Sequence, residues 1–169
     1  MATLVDTNVI VYCFDARDAE KQRIARELLR RGMIEGELVL PHQAIIEFVA
    51  AVTRPRKDLG GAPLLVREHA YRQARELMSQ YPILYPGPEV LDTALLGAAT
   101  YGLPWFDAHL WAYAEVNGLS ELLSEDFEHG RYYGSVRVVD PFLAAAGEVH
   151  ELPPMYDSDS LPRGGAASE

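Results

Sequence analysis

The stretch Thr3-Leu4-Val5-Asp6-Thr7-Asn8-Val9-Ile10 decides the fold of this chain. The segment of residues 3–6 is short and largely apolar, which predicts a buried strand that ends at Asp6. Thr7 and Asn8 have short polar side chains suited to a helix start, and we predict a helix that begins immediately after the strand and covers residues 8–13. A buried strand that leads directly into a helix indicates an α/β protein.

Strands and helices continue to alternate outward from this stretch. The other predicted strands are at residues 37–40, 83–85, 121–124 and 136–139, and the other predicted helices are at residues 18–31, 42–52, 64–80, 89–101 and 106–117. We expect Pro41 to be the first residue of its helix, and residues 53–63, with two prolines and two glycines, to form a loop. The alternation predicts a three-layer fold, in which a central, parallel, five-stranded sheet is flanked by helices.

The 169 residues suffice for one domain, which we place at residues 1–147. Residues 148–169 contain five acids and one base, and we predict that they form an acidic, flexible C-terminal tail. The single cysteine, Cys13, has no intramolecular disulfide partner, which favours a reducing cytoplasm. The N-terminus lacks the pattern of a signal peptide, and no apolar run is long enough for a membrane helix, so we expect a cytoplasmic protein.

Four acidic residues lie in or beside apolar stretches, where an unpaired carboxylate is costly: Asp6, Glu47, Asp107 and Asp126. Asp6 and Asp126 follow predicted strands, Asp107 opens a predicted helix, and Glu47 lies within one. Ligands of parallel sheets bind outside the carboxyl ends of the strands, so we expect these acids to meet there. A hard divalent cation, Mg²⁺ or Mn²⁺, would offset the cost of placing these negative charges together. Metals held by carboxylates in this way usually act on phosphate esters.

Each acid also has a plainer interpretation. Asp6 and Asp107 could be N-caps of the helices that they precede, and capping through one oxygen is compatible with metal binding through the other. Glu47 could lie at the polar edge of its helix, or serve as a metal ligand or a general base. Asp126 could bind a second ion, act through water or cap a turn.

Neighbouring polar residues could support the acids. Asn8 could orient the Asp6 carboxylate, Ser124 could bond water or Asp126, and Thr7 could cap a helix or help to position substrate. We interpret Glu125 and Asp140 as surface or turn residues. The five histidines show no metal-binding spacing, and we interpret His42 and His109 as satisfied or solvated side chains.

The formal net charge of −10 argues against non-specific nucleic-acid binding through overall charge. The basic residues are concentrated in two segments, residues 17–31 and residues 54–57. They are solvated charges in the plainer interpretation. In the functional interpretation they form a basic rim around an acidic centre, where phosphates would pass.

Four segments together resemble PIN-domain nucleases. The opening Val5-Asp6-Thr7-Asn8-Val9-Ile10 is similar to the first strand and turn of that family, and the helix that carries Glu47 resembles its second acidic position. Gly102-Leu103-Pro104-Trp105-Phe106-Asp107-Ala108 resembles the third, and Leu122-Leu123-Ser124-Glu125-Asp126-Phe127 resembles the fourth. The closing Val136-Arg137-Val138-Val139-Asp140-Pro141-Phe142 is especially similar to VapC-type toxins, the ribonuclease half of bacterial toxin–antitoxin pairs.

The resemblance implies a metal-dependent endoribonuclease that acts on RNA, with a VapB-like antitoxin as partner and a homodimeric state. Asp6, Glu47, Asp107 and Asp126 would be its metal ligands and catalytic residues. Two alternatives stay open: a catalytically silent PIN-fold binding module, and an aspartate-nucleophile phosphatase. The phosphatase pattern needs a second Asp where this chain has Asn8 and a lysine after a late strand, whereas the chain has only Lys21 and Lys57.

Overall fold

The structure is a computed structural model that describes residues 2–148. Its strands are β1 Thr3–Val5, β2 Leu38–Pro41, β3 Ile83–Leu84, β4 Glu121–Leu123, β5 Tyr132–Tyr133 and β6 Val136–Val139. Its helices are α1 Thr7–Tyr12, α2 Ala19–Glu35, α3 His42–Thr53, α4 Arg67–Gln80, α5 Pro88–Tyr101, α6 Trp105–Val116 and α7 Pro141–Glu148, with a short 3₁₀ helix at Lys57–Leu59. Residues 149–169 of the predicted tail lie outside the described residues.

One sheet in the order β3-β2-β1-β4-β6-β5 forms the centre of the fold. All strand pairs are parallel except β5 with β6, which is antiparallel. The predicted parallel sheet flanked by helices is confirmed, but it has six strands instead of five. We missed β5 because two residues, Tyr132 and Tyr133, are too short for a periodic signal, and only their pairing with Val136 and Arg137 makes them a strand.

Two apolar clusters cover the two faces of the sheet, because successive residues of a strand point to opposite sides. Leu4 packs into the cluster with α5 and α6, whereas the next residue, Val5, packs into the cluster with α1, α3 and α4. Leu122 and Leu123 of β4 divide in the same way. The central strand β1 and its neighbour β4 are therefore covered on both sides, as their largely apolar sequences predict, whereas Arg137 of β6 and Tyr132 of the edge strand β5 are exposed.

The register between β1 and β4 brings their carboxyl ends together. Val5 pairs with Leu123, and the Asp6 amide donates to the carbonyl oxygen of Leu123 at 3.0 Å. Asp6 therefore lies beside Ser124, although 118 residues separate them in the chain. On the other side of β1, β2 ends at Pro41 and α3 begins at His42.

One local prediction was wrong, and one was half right. Pro41 is the last residue of β2 instead of the first helical residue: its φ of −75° and ψ of 148° are extended, and it pairs with Leu84. Asp140, interpreted as a surface or turn residue, lies in the turn between β6 and α7 but is buried, since its carboxylate accepts from the Phe142 amide at 2.8 Å and caps α7.

Candidate active site

A cleft of about 360 Å³ opens at the carboxyl edge of the sheet. It is lined by the four acids that the sequence analysis singled out, Asp6, Glu47, Asp107 and Asp126. They come from the turn after β1, from α3, from the first turn of α6 and from the turn after β4. The cleft contains two further acids, two arginines and several polar side chains, namely Asp15, Glu125, Arg17, Arg56, Thr7, Asn8, Tyr12 and Gln43.

Asp6 is the most buried of these four acids, with 7% of its surface exposed. One carboxylate oxygen caps α1 by accepting from the Thr7 amide at 2.5 Å. The other accepts from the Ser124 hydroxyl at 2.5 Å and from the Asn8 side-chain amide at 2.9 Å. Asp6 is therefore an N-cap whose remaining oxygen is held by Asn8 of α1 and by Ser124, which follows the adjacent strand β4.

The environment of Asp6 disfavours its charged form. Burial is the main reason that the pKa of its carboxyl is raised from 3.8 to about 7. The negative charges of Asp126 and Glu47 raise this pKa further, while the hydrogen bonds from Ser124 and Thr7 lower it. A neighbouring cation would reverse the balance and stabilise the carboxylate.

Ser124 and Asn8 join Asp6 to Asp126. The Ser124 side chain is fully buried, and its oxygen accepts from the Asp126 amide at 3.1 Å and from Asn8 at 3.2 Å. Asn8 also donates to the exposed Asp126 carboxylate at 3.0 Å. Both polar side chains thus fix the spacing of two acids that would otherwise repel each other.

Glu47 is half-buried and is held at both of its oxygens. The Thr7 hydroxyl donates to one at 2.9 Å, and the Gln43 amide donates to the other at 2.8 Å. Gln43 is held in turn by His109, whose Nδ1 lies 2.5 Å from the Gln43 side-chain oxygen, and burial lowers the pKa of His109. This chain of contacts holds the Glu47 carboxylate toward the cleft, whereas His109 itself is not among the residues that line the cleft.

Asp107 is half-buried in the first turn of α6 and is not its N-cap, because the helix begins two residues earlier at Trp105. Its N-cap interpretation was therefore wrong. Burial raises the pKa of the Asp107 carboxyl above its ordinary value, and the charges of Asp126 and Glu47 raise it further. The helix position still favours a negative charge through the exposed amides of the first turn.

The donor set of the cleft fits a hard divalent cation. Carboxylate oxygens are the ligands that Mg²⁺ and Mn²⁺ prefer, and the buried Oδ1 of Asn8 has no hydrogen-bond partner. In residues 2–148, however, no three His, Cys, Asp or Glu side chains already meet at the spacing of a metal's ligands. Mutual repulsion of carboxylates is one physical reason, since the charges of Asp126 and Glu47 add to the effect of burial in raising the pKa values of Asp6 and Asp107.

Two residues of the cleft were missed or misinterpreted from the sequence. Gln43 lies four residues before Glu47 on α3, and this i, i+4 spacing is a signal that could have identified it. Glu125, which we interpreted as a surface or turn residue, lies in the turn after β4 but is half-buried and forms an ion pair with Lys21, whose ammonium also donates to the Tyr12 hydroxyl at 3.1 Å. No local signal identifies that pair, because 104 residues separate its members.

No helix among residues 2–148 has the length and apolar character that a membrane span needs. Comparison with curated proteins finds no match. Among solved structures, a toxin–antitoxin complex from Klebsiella pneumoniae is similar, with a TM-score of 0.59, 19% identity, and coverage of 83% of this chain and 98% of the other. The Mycobacterium tuberculosis toxin VapC20, described as cleaving the sarcin-ricin loop, has a TM-score of 0.58, 15% identity, and coverage of 80% and 99%.

These similarities agree with the fold described above. The family model of the PIN domain matches residues 3–135, which include all four acids and most of the sheet. The resemblance that the sequence motifs indicated is thereby confirmed, and the chain belongs to the PIN domain family.

Proposed function

We propose that this protein is a metal-dependent endoribonuclease that hydrolyses RNA phosphodiester bonds. The observation that carries the proposal is the cleft itself. Four acids from four separate segments, Asp6, Glu47, Asp107 and Asp126, line it together at the edge of the sheet where ligands of α/β folds bind. Membership of the PIN domain family and similarity to two toxin structures support the same chemistry.

The four acids would hold Mg²⁺ or Mn²⁺ and serve as the catalytic residues. The bound metal would make a water molecule more acidic and would stabilise negative charge on the phosphoryl group. Ser124 and Asn8 orient Asp6, and Thr7 and Gln43 orient Glu47, so that each carboxylate keeps one fixed direction. Glu47 is half-buried and lies at the cleft wall, where it could also accept the proton of the attacking water.

We further propose that the protein is the toxin of a toxin–antitoxin pair, with a VapB-like antitoxin as partner, and that it acts in the cytoplasm. The similar structure from Klebsiella pneumoniae is a toxin–antitoxin complex, which supports the partner. The single cysteine, which is buried and free, supports a reducing compartment.

A homodimer is proposed from the surface of α5 and the start of α6. Large apolar side chains are exposed there: Leu91, Leu95, Leu96, Trp105 and Phe106. Clustered exposed apolar residues are typical of interaction surfaces. Light scattering of the purified protein should give twice the monomer mass, and Leu95→Asp should shift it to the monomer mass if this surface forms the dimer.

Cleavage of a mixed RNA pool by the purified protein tests the catalytic proposal. We expect cutting with Mn²⁺ or Mg²⁺, none with EDTA, and a loss of about 100-fold or more for Asp107→Asn. Asp92→Asn is the matched control, because Asp92 is exposed on α5 outside the cleft. Cutting by Asp107→Asn at the wild-type rate would contradict the assignment. Tight RNA binding without metal and without cleavage would favour the silent binding module.

A further inference from the structure

Arg56 and Arg17 are the two cationic side chains among the residues that line the acidic cleft. RNA carries a negative charge on every phosphate, so a strand that approaches six carboxylates needs compensating positive charge. The two arginines can supply it only if they are free to contact the strand. Their hydrogen bonds decide which of them is free, and this inference rests on the proposed ribonuclease function.

The Arg17 guanidinium is already hydrogen-bonded to carboxylates of the protein. Its guanidinium bonds both oxygens of the buried Asp15, with Nε 2.8 Å from Oδ1, and its remaining side pairs with Asp58. Asp58 belongs to the 3₁₀ helix Lys57–Leu59. Arg17 therefore ties the segment after α1 to the loop after α3, and each of its three guanidinium nitrogens donates to a carboxylate in doing so.

Arg56 directly precedes that 3₁₀ helix and lies near the same two acids, Asp15 and Asp58, but its side chain hydrogen-bonds to neither of them. Its backbone is fixed, since its amide donates to the Ala62 carbonyl at 3.1 Å and its carbonyl accepts from the Gly61 amide at 2.8 Å. Its side chain forms no ion pair with the described residues 2–148, and its Nε is covered from solvent without an acceptor. The Arg56 residue as a whole is only half-buried, so its terminal guanidinium nitrogens, which no described acceptor engages, are the atoms that a phosphate oxygen can reach.

The position of Arg56 sets it apart from the metal-binding acids. Gln43, Glu47 and Ala51 line the cleft at four-residue intervals along one face of α3, and Arg56 follows the end of that helix. Eight residues of helix from Gln43 to Ala51 correspond to about 12 Å. The cleft is therefore long enough to hold more than one phosphate, and Arg56 lies at the end away from Gln43.

We propose that Arg56 binds a phosphate of the RNA strand other than the one that is cleaved, and that Arg17 is a positioning residue that holds its loop in place. The guanidinium plane suits the paired oxygens of a phosphate, which gives the contact direction as well as charge. The loop at residues 53–63 then has a function, as the carrier of this subsite. The basic segments were interpreted either as solvated charges or as a basic rim around the acidic centre, and the proposed role of Arg56 agrees with the basic rim.

Steady-state cleavage by the full chain with Mn²⁺ tests the subsite. For a fluorescent single-stranded RNA that the wild type cuts, Arg56→Ala should raise KM about tenfold and change kcat less than about threefold, because one charge-assisted contact is lost outside the reacting centre. Arg56→Lys should recover part of the loss. Arg72→Ala removes an exposed positive charge on α4, outside the cleft, and should leave both constants unchanged.

Binding of a fluorescein-labelled single-stranded RNA in EDTA, followed by anisotropy, gives a readout that does not depend on cleavage. Arg56→Ala should weaken binding about tenfold and reduce the slope of log affinity against log salt by about 0.7. Melting by circular dichroism identifies a folding defect, and Arg56→Gln replaces any variant that does not fold.

The two proposals fail in different ways. Wild-type KM, affinity and salt slope in Arg56→Ala, with metal-dependent cleavage intact, would overturn the subsite and leave the nuclease proposal standing. RNA binding that depends on Arg56, in a protein that never cleaves, would keep the subsite and overturn the catalytic proposal. A wild-type protein that neither binds nor cuts RNA would overturn both.

Discussion

Replacing Asp6 by Asn should stabilise the metal-free protein at neutral and alkaline pH. Folding raises the pKa of this carboxyl from 3.8 to about 7, mainly through burial. Because the folded-state pKa lies above the unfolded one, the contribution of Asp6 to the free energy of unfolding is fully present below pH 3.8. This contribution is lost as the pH rises to about 7. The loss is about 4 kcal/mol, because each pKa unit corresponds to about 1.4 kcal/mol.

The amide removes this penalty but also changes two hydrogen bonds. The Asp6 oxygen that accepts from Ser124 and Asn8 would be replaced by a donor NH₂ group, at a cost of about 2 kcal/mol. The Ser124 hydroxyl can turn to accept, and the Asn8 amide can turn its unpartnered Oδ1 toward the new donor. We therefore expect Asp6→Asn to be about 2 kcal/mol more stable than the wild type at pH 8.

Urea denaturation in EDTA between pH 5 and pH 8 measures this difference. The advantage of Asp6→Asn should grow by about 3 kcal/mol over that range, because most of the wild-type penalty develops there. Asp92→Asn, an exposed carboxylate on α5, should differ from the wild type by a constant amount. A difference for Asp6→Asn that is flat or falls with pH would refute the reasoning. Saturating Mn²⁺ should reverse the stability order of the two proteins, since the wild type, with all four acids, would gain more binding energy than the variant.

Three further predictions follow from individual contacts. Gly97→Ala should destabilise the protein by about 1–3 kcal/mol in urea denaturation, because the new Cβ would lie 2.2 Å from the Trp111 ring, and an unchanged midpoint would contradict this packing. Native Cys13 should resist iodoacetamide at pH 8, where burial raises the pKa of its thiol to about 12, and rapid alkylation counted by mass spectrometry would contradict its burial. Gln43→Leu should lower the cleavage rate about tenfold, because it releases one oxygen of Glu47, and a wild-type rate would show that this contact does not orient the acid.

The penalty at Asp6 and the proposed chemistry have one physical origin. A carboxylate that is 7% exposed and faces other acids is unfavourable for the empty fold and favourable for a cation. Ser124 and Asn8 offset part of the penalty through hydrogen bonds that also hold the acid in place. Stability at this position is therefore expected to be lower than an amide would give, which is common at functional sites.

The strands and helices could be predicted from the sequence to the extent that their signals are local. Alternation of apolar runs with amphipathic segments indicated every parallel strand, because burial on both faces leaves a continuous apolar run. The edge strand Tyr132–Tyr133 was missed, because its assignment depends on pairing with β6 instead of on its own sequence. The cap of α7 by Asp140 was missed for a similar reason, since the local sequence around an Asp at the end of a strand does not indicate whether that Asp is buried.

By itself the sequence determined the order of strands and helices and the four acids beside apolar stretches, because periodicity and unusual polar residues are properties of neighbours in the chain. Only the tertiary structure decided how those acids are held. The register of Val5 with Leu123 places the Ser124 hydroxyl within hydrogen-bonding distance of the Asp6 carboxylate. The approach of α6 to α3 likewise places the His109 ring against the Gln43 side-chain oxygen. The difference between Arg17, which is hydrogen-bonded to carboxylates, and Arg56, which forms no ion pair among residues 2–148, also depends on contacts between segments far apart in sequence. Such contacts are set by how whole elements pack, and no local pattern of residues encodes them.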